Sequence, residues 1–277
     1  MGDYDDQSPY HYPSSNGLYQ GGPTKWVAYT FLILFSLSTA LHLGQAIWTR
    51  RWFMICTVFI CGIGEILGWS ARLWSAYNPM NSTPFTMQIS TTIIAPTGLA
   101  AAEFLTLERI IKLVGPQYSR LTPRMYAAIF LTTDLIALIV QGVGGGIASS
   151  ANTDAGAADG GHIMLGGIIF QLVTIFMFSL VSGNFSTMLG STNLRPEERQ
   201  FSGLEKARPK FTKHIMMQIA ALIFITTLLI IRSIYRTIEL INGWERYFNW
   251  LDGGAIVVAM YTLNIFHPSW LLYRTDS

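Results

Sequence analysis

Charge is scarce in this chain. Only 12% of the 277 residues are charged, about half the roughly 25% typical of soluble domains. Since 51% are hydrophobic, the composition excludes an ordinary soluble domain and implies a polytopic membrane protein. Cysteine is nearly missing: Cys56 and Cys61 both fall in one apolar run, which excludes a disulfide framework and reads as two free buried thiols. No phosphate loop ending in Gly-Lys-Ser/Thr occurs, so any driving force must be a gradient or a partner. The amino terminus lacks the basic-then-apolar layout of a cleaved leader, and the first span is expected to act as its own uncleaved signal. The five lysines are Lys25, Lys112, Lys206, Lys210 and Lys213. None lies in the last apolar run, which excludes a retinal Schiff base.

What is present is a series of seven apolar runs, placed at about 26–48, 52–74, 88–113, 125–148, 163–188, 215–238 and 248–270 from run lengths near ~20 residues per crossing. The expected fold is all-α, a bundle of seven transmembrane helices with the amino terminus outside and the carboxyl terminus cytoplasmic. Residues 1–24, rich in Tyr, Gly, Pro and Ser and holding Asp3, Asp5 and Asp6, read as a disordered extracellular tail. Residues 25–273 form the membrane domain, and 274–277 a short cytoplasmic tail. The fifth run is the least regular, because Gly166, Gly167, Gly183 and Asn184 interrupt it.

The basic residues set the orientation. On the cytoplasmic side fall Arg50, Arg51, Lys112, Arg120, Arg124, Arg195, Arg199, Lys206, Arg208, Lys210, Lys213 and Arg274, and on the outer side only Lys25 and Arg246. Twelve against two is a strong positive-inside asymmetry. Asp154 and Asp159 are expected in an outer loop, and Asn81-Ser82-Thr83 matches a glycosylation acceptor on that side. Trp26, Trp74, Tyr77, Trp244 and Trp250 would mark the outer interface, and Trp48, Trp52, Trp270 and Tyr273 the inner one. The segment 189–213 is the longest link and the most basic. It reads as a topology signal drawn to anionic lipid, or as a docking surface for a cytoplasmic protein. Nothing points to nucleic acid.

Ionisable residues inside the runs carry the functional argument, since a charge at mid-membrane costs at least ~2.5–3.5 kcal/mol. Glu65 and Arg72 share a helical face seven residues apart, and Gly64 and Gly68 between them admit a neighbouring backbone. Sorted by depth, Arg72, Arg232, Arg236, Glu239, Glu245 and Asp252 lie near the outer face. Glu65, Asp134, Gln141 and Gln171 lie at the middle, and His42, Glu108, Arg109 and His267 near the inner face. The outer set is either a salt-bridge lattice or a receptor for a lipid phosphate, which suits the arginine fork. Glu65 and Asp134 are either structural or a shared cation or proton site. Gly142, Gly144, Gly145 and Gly146 signal tight helix contact or a loosened helix end. Ala95-Pro96 bends the third span and frees carbonyls. His42 and His267 are ordinary hydrogen-bonded histidines or, less naturally, a metal or haem pair. No metal site and no cofactor are expected.

Taken together these marks resemble the fungal lipid-translocating exporter family, the seven-span proteins of the aminocholesterol-resistance type. The resemblance rests on His42 with Gln45, Glu65-Ile-Leu-Gly68 with Arg72, Ala95-Pro96 with Ala100-Ala101, and Arg109-Ile-Ile. It continues through Asp134 with Gln141 and the glycine run, Gly167 with Gln171, and Arg232-Ser-Ile-Tyr-Arg236 with Glu239. It closes on Glu245, Tyr247, Asp252, and Asn264 with His267-Pro268. Trp69 stands where tyrosine is expected, and Glu103-Phe104 replaces a small residue and tyrosine. The resemblance implies a fungal plasma-membrane protein, tied to lipid asymmetry and to resistance against membrane-active compounds. Relatives are associated with sphingoid-base export and porphyrin traffic.

The leading expectation is a lipid translocator, not an enzyme, moving a sphingoid base or related phospholipid-like amphiphile. Its substrate site is expected to use Glu65, Arg72, Asp134, Gln141, Gln171, Arg232, Arg236, Glu239 and Asp252 around one hollow, and an oligomer is compatible with the sequence. The alternative is a seven-span receptor-like sensor of lipid asymmetry. In that reading Glu108-Arg109 acts as an ionic lock, although no Asn-Pro-x-x-Tyr follows. Porphyrin binding, or a metallohydrolase using His42, His162, His214 and His267, fits less well because those histidines lie at mixed depths.

Overall fold

The computed structural model describes residues 24–78, 82–114, 122–151, 153–193, 213–242 and 247–268. The calls on the amino-terminal tail, on Asn81, on most of the basic segment 189–213, on Glu245 and on the carboxyl tail lie outside them. Among the described residues every regular element is helical. The elements are α1 (Lys25–Trp48), α2 (Ile60–Tyr77), α3 (Ser82–Ile94), α4 (Pro96–Val114), α5 (Pro123–Ser150), α6 (Asp154–Asn193), α7 (Lys213–Asn242) and α8 (Ala255–Ile265). Two π-helical stretches, Ile55–Phe59 and Phe248–Gly254, lead into α2 and α8.

Six helical stretches are long and apolar enough to cross a membrane, with α3 and α4 together making one of them. This is an integral membrane protein. Exposed tryptophans mark the ends of its helices: Trp26 opens α1 and Trp48 closes it, as amphipathic rings at a lipid–water boundary do. The Lys25 ammonium lies 4.0 Å from the Tyr77 ring centroid, so α1 and α2 run antiparallel with the start of one beside the end of the other. Arg50, in the left-handed region at φ 53°, makes the tight turn between them. There Arg51 N–H reaches back to the Ala46 carbonyl at 3.0 Å, closing the α1 end as a Schellman-type turn.

The helices close into a ring. α1 packs on α2 and α8, α2 on α3, α4 on α5, α5 on α6, α6 on α7, and α7 on α8. α4 occupies the interior, touching α2 and α7 as well. Its residues Leu99, Ala100, Ala101, Ala102, Glu103 and Phe104 are consecutive and all buried, so no face of this helix is left for lipid. Small residues there let the surrounding helices approach.

Two expectations resolve into backbone contacts. A Cβ on Gly144 would lie 2.5 Å from the Met164 nitrogen and 2.7 Å from the Gly160 carbonyl oxygen. The glycine run therefore brings α5 against α6 and does not loosen a helix end. Gly64 and Gly68 form a groove on α2 for the end of α3: Cβ atoms there would meet Ala95 Cβ at 2.7 Å and Thr92 Cγ2 at 2.6 Å.

Three expectations need correction. Gly166, Gly167 and Gly183 do not interrupt the fifth span, because α6 runs unbroken from Asp154 to Asn193; without water to compete, the hydrogen-bonded helix is the only cheap conformation there. Asp154 and Asp159 lie in the first turns of α6 and not in a loop, where acids complement the helix dipole. Cys61 is buried but Cys56, in the π-helical stretch before α2, is exposed, so only one of the two thiols lies in the core.

Replacing Gly144 with alanine is expected to cost about 1–3 kcal/mol by overpacking the α5–α6 contact. Gly146→Ala, where a Cβ meets nothing within 4 Å, should be neutral or stabilising by up to about 1 kcal/mol. Thermal unfolding of the purified variants measures both, and equal effects would refute the assigned contact.

Candidate functional site

The site is assembled around the break in the third span. Pro96 has no N–H to offer the Thr92 carbonyl four residues earlier. In hydrocarbon that acceptor must find a donor elsewhere, and Arg232 Nη2 of α7 supplies it. The Thr92 hydroxyl donates to the Gln88 carbonyl at 2.9 Å and accepts from Arg236 Nη2 at 2.6 Å. One threonine, held against α2 by the Gly68 groove, thus receives both arginines of Arg232-Ser-Ile-Tyr-Arg236.

Asp252 faces the same arginines. The π-helical stretch before α8 carries its carboxylate inward. Arg236 donates to it through Nε at 3.1 Å and Nη2 at 3.0 Å, a two-point pairing of the kind guanidinium favours. Arg232 Nε stands 2.8 Å from the same carboxylate. Arg236 Nη1 also reaches Glu239 at 3.0 Å. Gly253, next along, admits the Trp69 ring: a Cβ there would come within 3.2 Å of its Cη2 atom. Trp69 stacks on Phe31 at 4.2 Å between centroids and meets Phe248 at 5.7 Å. The guanidinium carbons of Arg72 and Arg236 lie 4.5 Å and 4.8 Å from the Phe248 centroid, within cation–π range.

Glu65 completes the group. It is 1% exposed, within electrostatic reach of Arg232, Arg236 and Asp252, and neither carboxylate oxygen has a hydrogen-bond partner. The Trp69 indole N–H, one turn along α2, interacts with it but misses hydrogen-bonding geometry. Three arginines (72, 232, 236) therefore share a buried region with three carboxylates (65, 239, 252). The cluster is balanced in formal charge, yet one carboxylate is left without a hydrogen bond.

The other nominated residues form a separate relay. Gln171 Nε2 of α6 donates to Asp134 Oδ1 of α5 at 2.9 Å, and Gln141 Nε2 donates to Gln171 Oε1 at 2.9 Å. Asp134 interacts with Gln171 and Glu65 with the arginine cluster, so the two acids belong to different clusters. The expected single hollow lined by all nine residues is not what the structure builds. Position along each span puts Glu65 beside Asp134 in depth, but Glu65 faces Arg232, Arg236 and Asp252 and Asp134 faces Gln171 of α6.

A third polar seam joins α1 to α8. His42 Nε2 lies 3.1 Å from the Met260 carbonyl, Gln45 donates to the Asn264 carbonyl at 3.0 Å, and Asn264 donates to Ser38 Oγ at 2.7 Å. His42 and His267 are close enough to interact, but among the described residues no group of three His, Cys, Asp or Glu is placed to hold a metal. Glu108 pairs with Lys112, and the Arg109 guanidinium sits 3.8 Å from the Phe53 ring centroid. The two residues of the expected ionic lock thus each take another partner.

Sequence reasoning passed over Thr92 and Glu103 as site residues. A neutral threonine in an apolar run carries no signal by itself; the signal was Pro96 four residues later. Glu103 of α4 is 1% exposed and meets the Thr226 hydroxyl at 3.2 and 3.3 Å.

The fold and this buried charge cluster define a polytopic helical membrane protein with ionisable groups held inside the bundle. The chain belongs to the family described as RTA1 like protein, whose model matches residues 58–275. It is 30% identical to the sphingoid long-chain base transporter RSB1 of Saccharomyces cerevisiae, over 92% of this chain and 74% of that one. It is 26% identical to the probable lipid transporter atnI of Emericella nidulans, over 89% and 66%, and 23% identical to protoporphyrin uptake protein 1 of Saccharomyces cerevisiae, over 83% and 82%. No solved structure matches.

Asp252→Asn is expected to destabilise the protein by about 3–5 kcal/mol, because two buried guanidiniums lose their shared carboxylate. Lys112→Met, at the partly exposed Glu108 pair, should change stability by no more than about 1 kcal/mol. Chemical unfolding of the two variants in the same detergent is the measurement. Comparable small changes would show that the cluster does not hold the bundle.

Proposed function

We propose that this protein is a lipid translocator that moves sphingoid bases or closely related cationic amphiphiles across the membrane. The observation that carries this reading is the similarity to a sphingoid long-chain base transporter along 92% of the chain. Of the residues named in the resemblance, Arg232, Arg236 and Asp252 meet in a buried charged cluster. In this reading Arg232, Arg236, Glu239 and Asp252 hold the framework of the substrate site, with Arg72 over Phe248. Glu65 offers the carboxylate to the amine of the head group, and the arginines restore balance when the amine leaves. Asp134, Gln171 and Gln141 supply a second polar step between α5 and α6. The alkyl tail stays in lipid throughout, and no bond is made or broken.

The topology that goes with this reading is seven crossings, the last made by Phe248–Gly254 and α8 together, with the amino terminus outside. The positive-inside count supports that orientation. The basic segment 189–213 then lies in the cytoplasm beside anionic lipid. The reading also includes residence in the plasma membrane of a fungus and resistance to membrane-active compounds.

Two measurements test the proposal. In vesicles holding the purified protein, a fluorescent sphingoid base should flip faster than in empty vesicles, and Glu65→Gln should return the rate to the empty-vesicle value. In cells challenged with a toxic sphingoid base, Glu65→Gln and Asp134→Asn should remove resistance at unchanged surface level. Flip rates equal to those of empty vesicles for the unaltered protein would refute transport. Full activity in both variants would make those acids structural.

A further inference from the structure

We infer a second site for a cationic lipid head: the crevice between α4, α6 and α7, with Glu103 behind it as counter-ion and Thr226 as the group that joins them. This rests on the translocator reading for its substrate class, but its location and residues are independent of the arginine cluster.

The crevice has a volume of about 100 Å³ and is lined by Leu107 of α4, by Phe178, Ser179, Ser182 and Gly183 of α6, and by Ile219, Leu222, Ile223 and Thr226 of α7. None of the nine residues nominated from the sequence lines it. Its wall is apolar apart from three hydroxyls. Ile223 is 47% exposed on the surface of the bundle, so the crevice is reached from the lipid side.

Glu103 lies directly behind that wall. It is fully buried on α4, and among the described residues its side-chain partner is the Thr226 hydroxyl, with no arginine, lysine or histidine paired to it. Asp252 and Glu239 have arginines, and Asp134 has the Gln171 amide. For Glu103 there is one hydroxyl. The single hydrogen of Thr226 is shared among the Leu222 carbonyl at 2.8 Å and both Glu103 oxygens at 3.2 and 3.3 Å. The shortest of the three contacts goes to the backbone. A buried carboxylate so poorly supplied with donors gains most from a cation that brings several.

The chemistry of the wall selects the occupant. An ammonium in the crevice donates to the Thr226 hydroxyl oxygen with the Glu103 carboxylate on the far side of that hydroxyl as its counter-charge, and neighbouring hydroxyls of an amino-alcohol head match Ser179 and Ser182. A single alkyl chain continues over Ile219, Leu222 and Ile223 into lipid. The volume equals only about three water molecules at ~30 Å³ each, far below the ~300–1,000 Å³ of pockets that enclose drug-sized ligands. It fits a head group with its first carbons and does not enclose a larger ligand.

The test uses purified full-length protein with a radiolabelled sphingoid base, and its N-acetylated, uncharged form as control. Wild type should bind the base at least about ten-fold more tightly than Glu103→Gln does, as loss of a counter-charge in a dry site implies. The N-acetylated form should bind both alike. Gly183→Leu provides a second, independent variant: a Cβ at Gly183 meets nothing within 4 Å, so the leucine fills the crevice without displacing backbone and should also remove the binding that depends on Glu103, leaving any binding at Glu65. Unchanged binding in both variants overturns the site, and if Glu103→Gln does not fold, Gly183→Leu alone decides. The site and the transport reading fail separately. Flip in wild type with binding indifferent to both variants removes the site and leaves transport. Binding that both variants weaken, in a protein that flips nothing, removes transport and leaves the site.

Discussion

The charged interior depends on one hydrogen-bond vacancy. Pro96 leaves the Thr92 carbonyl without its helical donor inside hydrocarbon, and Arg232 fills that place. Once a guanidinium is drawn into the bundle it needs an anion, and Asp252 provides one at 2.8 Å. Arg236, one turn further along α7, binds the Thr92 hydroxyl and the same carboxylate. The π-helical stretch before α8, the Gly253 contact with Trp69 and the Gly64/Gly68 groove on α2 all serve to bring these groups within reach. The break, the groove and the ion pairs form one arrangement, and each would be costly without the others.

Pairing on this scale makes the cluster architecture as well as site. Arg236 has two carboxylates and a hydroxyl, so it is poorly disposed to release them to a passing phosphate. The groups with spare capacity are acids: Glu65, with no hydrogen-bond partner, and Glu103, with a fraction of one hydroxyl. Two buried acids with few donors offer more to a cationic head group than Arg236, already held by two carboxylates, offers to a lipid phosphate.

Much of this was legible in the residues. Run lengths located the helices to within a few positions, although the third starts six residues before its run, at Ser82, and the fifth is far longer than its run. Pro96 announced a bend and a freed carbonyl, Gly64 and Gly68 a close backbone approach, and the spacing of Arg232, Arg236 and Glu239 a shared face. What could not be read was the third dimension. Depth along a span says nothing about which side of the ring a residue faces, so Glu65 and Asp134 were grouped although the bundle separates them. Thr92 matters through Pro96, four residues away, and through Arg232 and Arg236, 140 and 144 residues away. The π-helical stretches that carry Cys56 and Asp252 have no periodicity signal distinct from an α-helix. Glu103 stood out as an unexpected acid, but only the placement of Thr226 connects it to a crevice.

In the translocator reading Glu65 and Glu103, the buried acids least supplied with hydrogen-bond donors, meet the head group of a single-chain amine. Photo-crosslinking with a light-activated sphingoid base, followed by mapping of the labelled peptides, tests this directly. The predicted result is labelling concentrated on α4, α6 and α7 around the crevice and on α2 near Glu65, competed by unlabelled base but not by its N-acetylated form. Labelling spread evenly over the lipid-facing surface, and indifferent to that competition, would contradict it.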